Sequence, residues 1–438
     1  MRRWLISLGA IGMLVGASLL LYRNWRPNVP ALPSQIEIPS VSRVEPITSP
    51  ERPSALAGLD LAHVSYDDSG ATTSTSDGRL MHLTLDPDLQ GTAERLMAHY
   101  RVAEASVVMM EAATGKVLAY ASHLSKGQKR DLNAEATAPA ASLFKIVTGA
   151  ALIEHAALTP DTKQCYFGGQ QRVDALHLVD DPKRDRWCST LAGAMGRSLN
   201  TVFARLAKKH LPPSTLQTYG KKFGFGESVP FDLPTQPSTL SVPSDELEYA
   251  RTAAGFWNTT LSPLHATWLS AAIAHGGEAV RPYIVRDVVD REGHPLYEAQ
   301  PSLVVRRFIS LDTAKALTVM MEATVSDGTS YRAFRDARKR PFLSNLSVAG
   351  KTGTLSDAQA NRHYSWFSGF APSRSSKLQI PQVAIAVLVV NDPTWEIKAN
   401  VLARDMLRAY FASRGVAKVT KPGIPERRKR RAHRHRRK

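Results

Sequence analysis

The residues whose types and spacing could do chemistry form three short groups: Ser142 with Lys145, Ser198 with Asn200, and Lys351-Thr352-Gly353-Thr354. A serine hydroxyl is a weak nucleophile and needs a base within hydrogen-bond reach. Residues three apart on a helix share a face, so the Lys145 amine can meet the Ser142 hydroxyl. An amine acts as a base only when desolvation or a nearby cation lowers its pKa, and Lys351 is a candidate for that cation. Ser142 opens a helical pattern, so its own backbone N–H is free. With the N–H of Thr354 on a strand edge it would form an oxyanion hole. Gly353 lets that strand lie close to a substrate. Singly, each residue has a plainer role: Ser142 as a helix cap, Lys145 as a solvated helix residue, Ser198 and Asn200 in a turn, Lys351 to Thr354 as a strand start. Their occurrence together and in order favours a nucleophilic serine site.

These groups need a scaffold, and the patterning supplies one. His82 to Leu85 reads as a strand and Asp88 to Tyr100 as a helix after Pro87. Ser106 to Met110 and Lys116 to Ala121 read as a hairpin turning at Ala113-Thr114-Gly115. Helical patterns cover Leu143 to His155, Leu191 to His210 and Pro263 to His275. Strands are expected at Leu346 to Ala349, Trp366 to Phe370 and Val383 to Val390, and a last helix at Ala399 to Ala412. Strands at both ends with helices between them predict an α+β fold with an inserted helical part. No internal repeat is visible.

Outside this region the chain changes character. Met1-Arg2-Arg3 precedes an uncharged apolar run from Trp4 to Leu21, or to Tyr22, ending in a poor cleavage site. A helix of that length spans about 27 Å, close to a bilayer's hydrocarbon core. The expectation is one uncleaved signal anchor at 4–22, with residues 1–3 cytoplasmic and the body on the far side of the cytoplasmic membrane. Arg23 and Arg26 leave the flanking charges nearly balanced. Residues 23–80 are Pro/Ser-rich and read as a tether, with Asp67 to Asp77 as a loop within it; residues 81–415 carry the folded pattern. The tail, 416–438, is Lys/Arg-rich and expected to be disordered. Of the net charge of +17, +10 belongs to Lys418 to Lys438, so the remainder is only mildly basic and nucleic-acid binding is not expected. The tail could instead meet anionic lipid or wall polymer. Cys165 and Cys188 would be able to form a disulfide in an oxidising compartment, the alternative being two unrelated buried thiols. Two cysteines offer no metal-site spacing.

The three groups, in this order, are the motif set of penicillin-binding proteins and serine β-lactamases. From about Leu83 to Phe411 the chain resembles the transpeptidase domain of high-molecular-weight penicillin-binding proteins. Stretches such as Ala113-Thr114-Gly115-Lys116-Val117-Leu118, Phe144-Lys145-Ile146-Val147-Thr148, Leu261-Ser262-Pro263-Leu264 and Trp366-Phe367-Ser368-Gly369-Phe370 carry the likeness. It implies a mainly antiparallel five-stranded sheet flanked by helices, plus an all-helical lobe. It further implies Ser142 as acyl-accepting nucleophile, Lys145 as general base and Ser198 as proton relay. Asn200 would hold the substrate amide, while Lys351, Thr352 and Thr354 bind the terminal carboxylate. The implied reaction is D,D-transpeptidation of peptidoglycan stem peptides ending in D-Ala-D-Ala, without a cofactor, with β-lactams as covalent inhibitors.

Two departures stand out. Pro139-Ala140-Ala141 replaces the Pro-Gly that often precedes the nucleophile, and Trp395-Glu396-Ile397-Lys398 replaces an often glycine-rich region, so the last helix is expected to dock differently. About sixty residues separate the apolar run from Leu83, which leaves no room for a glycosyltransferase domain there. The rival readings are a D,D-carboxypeptidase or class D-like β-lactamase of the same fold, and a non-catalytic β-lactam sensor or division scaffold. Asn200 disfavours class D, and the complete motif set disfavours a scaffold.

Overall fold

A strand that is apolar at every position must be covered on both faces. The run from Val383 to Val390 meets that condition. In the computed structural model, which describes residues 52–67, 70–374, 382–392 and 394–416, strand Val383–Asn391 is buried throughout. It is the middle strand of a five-stranded sheet ordered Ala349–Asp357, Arg362–Ala371, Val383–Asn391, Glu104–Glu111, Val117–Leu124. Every pairing in this sheet is antiparallel. Side chains alternate between two cores as a period of two requires. Ala384, Ala386, Leu388 and Val390 face one; Val383, Ile385, Val387 and Val389 face the other.

The second core is closed by helices Pro87–Tyr100 and Ala399–Ser413, which contribute Leu89, Met97, Tyr410 and Phe411. Against the other face lies helix Pro263–Ala274, buried from Pro263 to Ile273, as expected of a helix apolar on all sides. Beyond it the helical lobe contains Lys145–Glu154, Leu191–Arg197, Asn200–His210, Pro213–Lys222, Glu246–Ala253 and Leu311–Ser326. The antiparallel sheet with helices on both faces and a helical lobe agrees with the α+β architecture expected above.

Several boundaries differ from the sequence reading. Leu191 to His210 is two helices: the first ends at Ser198, which adopts φ +57°, and the second begins at Asn200. Neither Ser198 nor Leu199, where the break falls, is Gly or Pro, and the break sets Ser198 and Asn200 outside a common helical face. The strand expected at Leu346 to Ala349 instead runs Ala349–Asp357 and contains Lys351 to Thr354. The tether and loop assigned up to residue 80 also need correction. Strands Ser65–Asp67, Gly70–Ser74 and Leu80–Leu83 join Val285–Val289 and Pro295–Glu298 in a second sheet. Ala71 and Thr73 are buried along Gly70–Ser74, an alternation too polar to stand out in sequence. Among the described residues no helix is long and apolar enough to cross a membrane. The expected span at 4–22 and the tail beyond Val416 lie outside the described residues.

Candidate active site

Ser142 lies in a short 3₁₀ turn, Ala141–Phe144, and the α-helix carrying Lys145 starts at Lys145 itself, three residues later than a helix beginning at the serine. Ala141 holds φ +49°, and Leu143 and Phe144 are packed into the core, so the turn is clamped on its inner side. Across the cleft the strand bearing Lys351 is brought against it. A Cβ on Gly353 would lie 3.2 Å from the Ala141 Cβ and 3.1 Å from the Trp366 Cβ, which is the close approach glycine permits. Trp366 Nε1 donates to the Pro139 carbonyl at 2.9 Å, fixing the approach to the turn.

Lys145 is fully buried, and its Nζ contacts three oxygens: Ser142 Oγ at 2.7 Å, Asn200 Oδ1 at 2.7 Å and the Ala254 carbonyl at 2.5 Å. Burial, and next the charge of Lys351, hold its pKa well below the usual lysine value. A neutral amine has two N–H bonds and one lone pair. The Asn200 and Ala254 oxygens can only accept, so they take both N–H bonds. With the amine deprotonated, the lone pair would be left for the Ser142 hydroxyl, the one partner able to donate. In that state the geometry allows the serine proton to pass to the Lys145 amine.

Lys351 is buried as well, and desolvation brings its pKa down to about 7. Its Nζ donates to Ser198 Oγ at 2.9 Å and to the Thr352 carbonyl at 2.8 Å. Thr352 Oγ1 lies 2.6 Å from Thr329 Oγ1. Ser142, Ser198, Asn200, Thr352 and Thr354 line one cleft, with Gln170, Thr329, Ser365, Trp366, Lys398 and Asn400 completing its walls. Every sequence-nominated polar group therefore lies in or directly beneath this cleft.

Residues not nominated from sequence complete it. The Ala254 carbonyl and Gln170 come from loops with no motif. Gln170 belongs to a strap closed by strands Lys163–Tyr166 and Trp187–Thr190, where Cys165 stands opposite Cys188 and the two are joined by a disulfide. The strap grips the helix that begins at Asn200. Asn200 Nδ2 donates to Gln170 O at 2.6 Å, and Thr201 Oγ1 to Gly168 O at 2.9 Å. The buried Arg205 donates Nε to His177 O at 2.5 Å and pairs with Asp185 at 2.7 Å. With its N–H side turned to Gln170, the Asn200 amide presents Oδ1 to Lys145.

The chain has relatives of known kind. It is 27% identical over 337 residues to stage V sporulation protein D of Bacillus subtilis, covering 72% of this chain and 51% of that protein. It is likewise 27% identical over 349 residues to peptidoglycan D,D-transpeptidase PbpA of Mycobacterium tuberculosis, covering 70% and 66%. The chain thus spans about half to two thirds of the length of these curated relatives. In fold it is similar to the D,D-transpeptidase domain of a peptidoglycan glycosyltransferase from Eggerthella lenta, with a TM-score of 0.65, 22% identity, and coverage of 81% of this chain and 95% of that one. The family model for the penicillin binding protein transpeptidase domain matches residues 105–407, a span that holds all three motif groups and all of the central sheet but Glu104, and the chain belongs to that family.

Proposed function

We propose that this protein is a serine D,D-transpeptidase that cross-links peptidoglycan stem peptides ending in D-Ala-D-Ala, and that β-lactams acylate the same serine. The observation that carries the reading is the fully buried Lys145 Nζ, 2.7 Å from Ser142 Oγ, with a pKa that burial and the Lys351 charge hold well below the usual lysine value. Ser142 Oγ attacks the penultimate carbonyl carbon while its proton passes to Lys145 Nζ. The backbone N–H groups of Ser142 and Thr354 receive the oxyanion. The C–N bond then breaks, and the proton held on Lys145 reaches the departing D-Ala nitrogen through Ser198. Asn200 holds the substrate amide, and Lys351, Thr352 and Thr354 hold the terminal carboxylate. An acceptor amine on a second stem peptide attacks the acyl-enzyme, giving its proton to Lys145; the ester bond to Ser142 then breaks, and Lys145 returns that proton to the departing Ser142 Oγ.

The apolar run at 4–22 would anchor this domain on the outer side of the cytoplasmic membrane, where the substrate is. The basic tail would bind anionic lipid or wall polymer, each clustered Lys or Arg near a membrane contributing about 1 kcal/mol.

Incubation of the purified protein with uncross-linked polymeric peptidoglycan, followed by muropeptide analysis, tests the reaction. Cross-linked dimers should appear in step with released D-Ala, and neither should appear with Ser142→Ala. D-Ala released without dimers would replace the transpeptidase by a carboxypeptidase.

A further inference from the structure

One wall of the Ser142 cleft is built by a segment that the chemistry above does not use. After strand Val383–Asn391 the chain passes through Trp395-Glu396-Ile397-Lys398 into helix Ala399–Ser413. This segment is pinned. Asn391, itself 1% exposed, accepts from the Glu396 N–H at 2.9 Å and donates Nδ2 to the Ile397 carbonyl at 3.1 Å. Ile397 is buried, and Trp395 stacks on His363 with ring centroids 5.1 Å apart. The Ala399 N–H donates to Ser365 Oγ at 3.0 Å. Lys398 is thereby held as the N-cap residue of the helix, and it is one of the residues lining the cleft.

The charge pattern gives this placement a meaning. Lys398 is the one charged side chain among the cleft-lining residues, and no carboxylate lines the cleft. Lys398 pairs with no acid among the described residues; its Nζ lies 5.8 Å from the Trp395 ring centroid. Asn400, on the same wall, donates to Ser330 Oγ at 3.1 Å and leaves its Oδ1 without a partner. Lys351 is poorly suited to be the only cation facing an anionic ligand. It already serves Ser198 and Thr352, and its burial leaves it charged only part of the time near neutral pH.

We infer that Lys398 is a specificity-determining residue of this site, whose exposed ammonium selects ligands carrying a free carboxylate beyond the scissile amide. The inference rests on the acyl-transfer reading above and adds a residue to it. Thr352 and Thr354 would supply directional hydrogen bonds, and Lys398 a charge that the ligand meets first.

Benzylpenicillin and its methyl ester differ in the charge at issue, and the rate at which each acylates the protein can be followed by intact mass. Lys398→Ala should slow acylation by benzylpenicillin about fivefold, the size of one exposed charge pair, and leave the methyl ester within twofold. Lys398→Arg should restore the preference, and high salt should narrow the gap in the wild type. The ester rate also reports whether the variant is folded. Equal slowing of both compounds, or slowing of neither, would overturn the assignment of Lys398 while leaving Ser142 acylation standing. Failure of wild-type protein to form any adduct would remove the underlying reading itself.

Discussion

Gly255 packs directly against the backbone of Ser142: a Cβ there would lie 2.9 Å from Ser142 Cα and 2.5 Å from the Ala141 carbonyl oxygen. Gly255 also holds φ +77°, so a side chain would be strained as well as crowded. Its neighbour Ala254 supplies the carbonyl that takes one N–H of Lys145. The loop after helix Glu246–Ala253 therefore sets both the serine's position and the amine's hydrogen bonding.

Gly255→Ala should accordingly damage the site more than the size of the change suggests. The left-handed backbone alone costs roughly 1–2 kcal/mol, and the clash must push the Ser142 turn or the Ala254 carbonyl away. The expected outcome is a loss of at least about tenfold in penicillin acylation, since displacements near 1 Å in a catalytic constellation cost up to about a hundredfold. Stopped-flow acylation alongside thermal unfolding checks this. A variant acylating at the wild-type rate would show that the contact does not position the serine.

The two lysines predict the pH profile. Lys145 must be neutral to accept the serine proton, and its pKa lies well below 10.5, so kcat/KM should rise as pH passes that lowered value. Lys351 must be charged to attract a carboxylate, and it loses its proton around pH 7 in the free protein. For carboxylate substrates the share of binding that Lys351 supplies should fall as pH rises through about 7. Lys351→Met removes the charge that helps to depress Lys145, so the acid limb should move to higher pH. An acid limb that stays in place would separate the two lysines electrostatically.

Stability should carry the same signature. Lys351 has a folded-state pKa of about 7 against 10.5 in the unfolded chain. Between these values the unfolded state binds more protons, so stability rises with pH across that window and the gain is absent below it. Lys351→Met should flatten this rise. Burying an ammonium opposes folding, so the variant's Tm at pH 6 should match or exceed that of wild type. Calorimetry from pH 6 to pH 10 reads both, and an unchanged slope would contradict the burial of this charge.

Much of this architecture was legible in the residues, for specific reasons. Val383 to Val390 is apolar at every position, which announces a central strand. Ser142, Ser198, Asn200, Thr352 and Thr354 share one cleft, a convergence that the order of the motifs suggested and that spacing alone anticipated only for Ser142 with Lys145. The break at Ser198 was not legible, because a serine in the left-handed region carries no mark distinguishing it from one inside a helix. Gly255, Gln170 and the Ala254 carbonyl were missed for a related reason: they act through backbone atoms, and Ala253-Ala254-Gly255 reads as an ordinary helix end. Lys398 was visible as a departure from the family pattern, but its place on the cleft depends on Asn391 and Trp395 fixing the turn before the last helix. Strand Gly70–Ser74 pairs within the second sheet through Ala, Thr and Ser positions whose polarity resembled a loop.

The most direct measurement is the covalent adduct. A labelled penicillin incubated with the protein, followed by proteolysis and mass spectrometry, should place one penicilloyl group on Ser142. Ser142→Ala should take up none while keeping its fold, and Lys145→Ala should acylate about 10²–10⁴ times more slowly. For the proposed transpeptidase the adduct should persist for many minutes. A penicilloyl group on another residue, uptake by Ser142→Ala, or rapid catalytic hydrolysis of the penicillin would contradict the account.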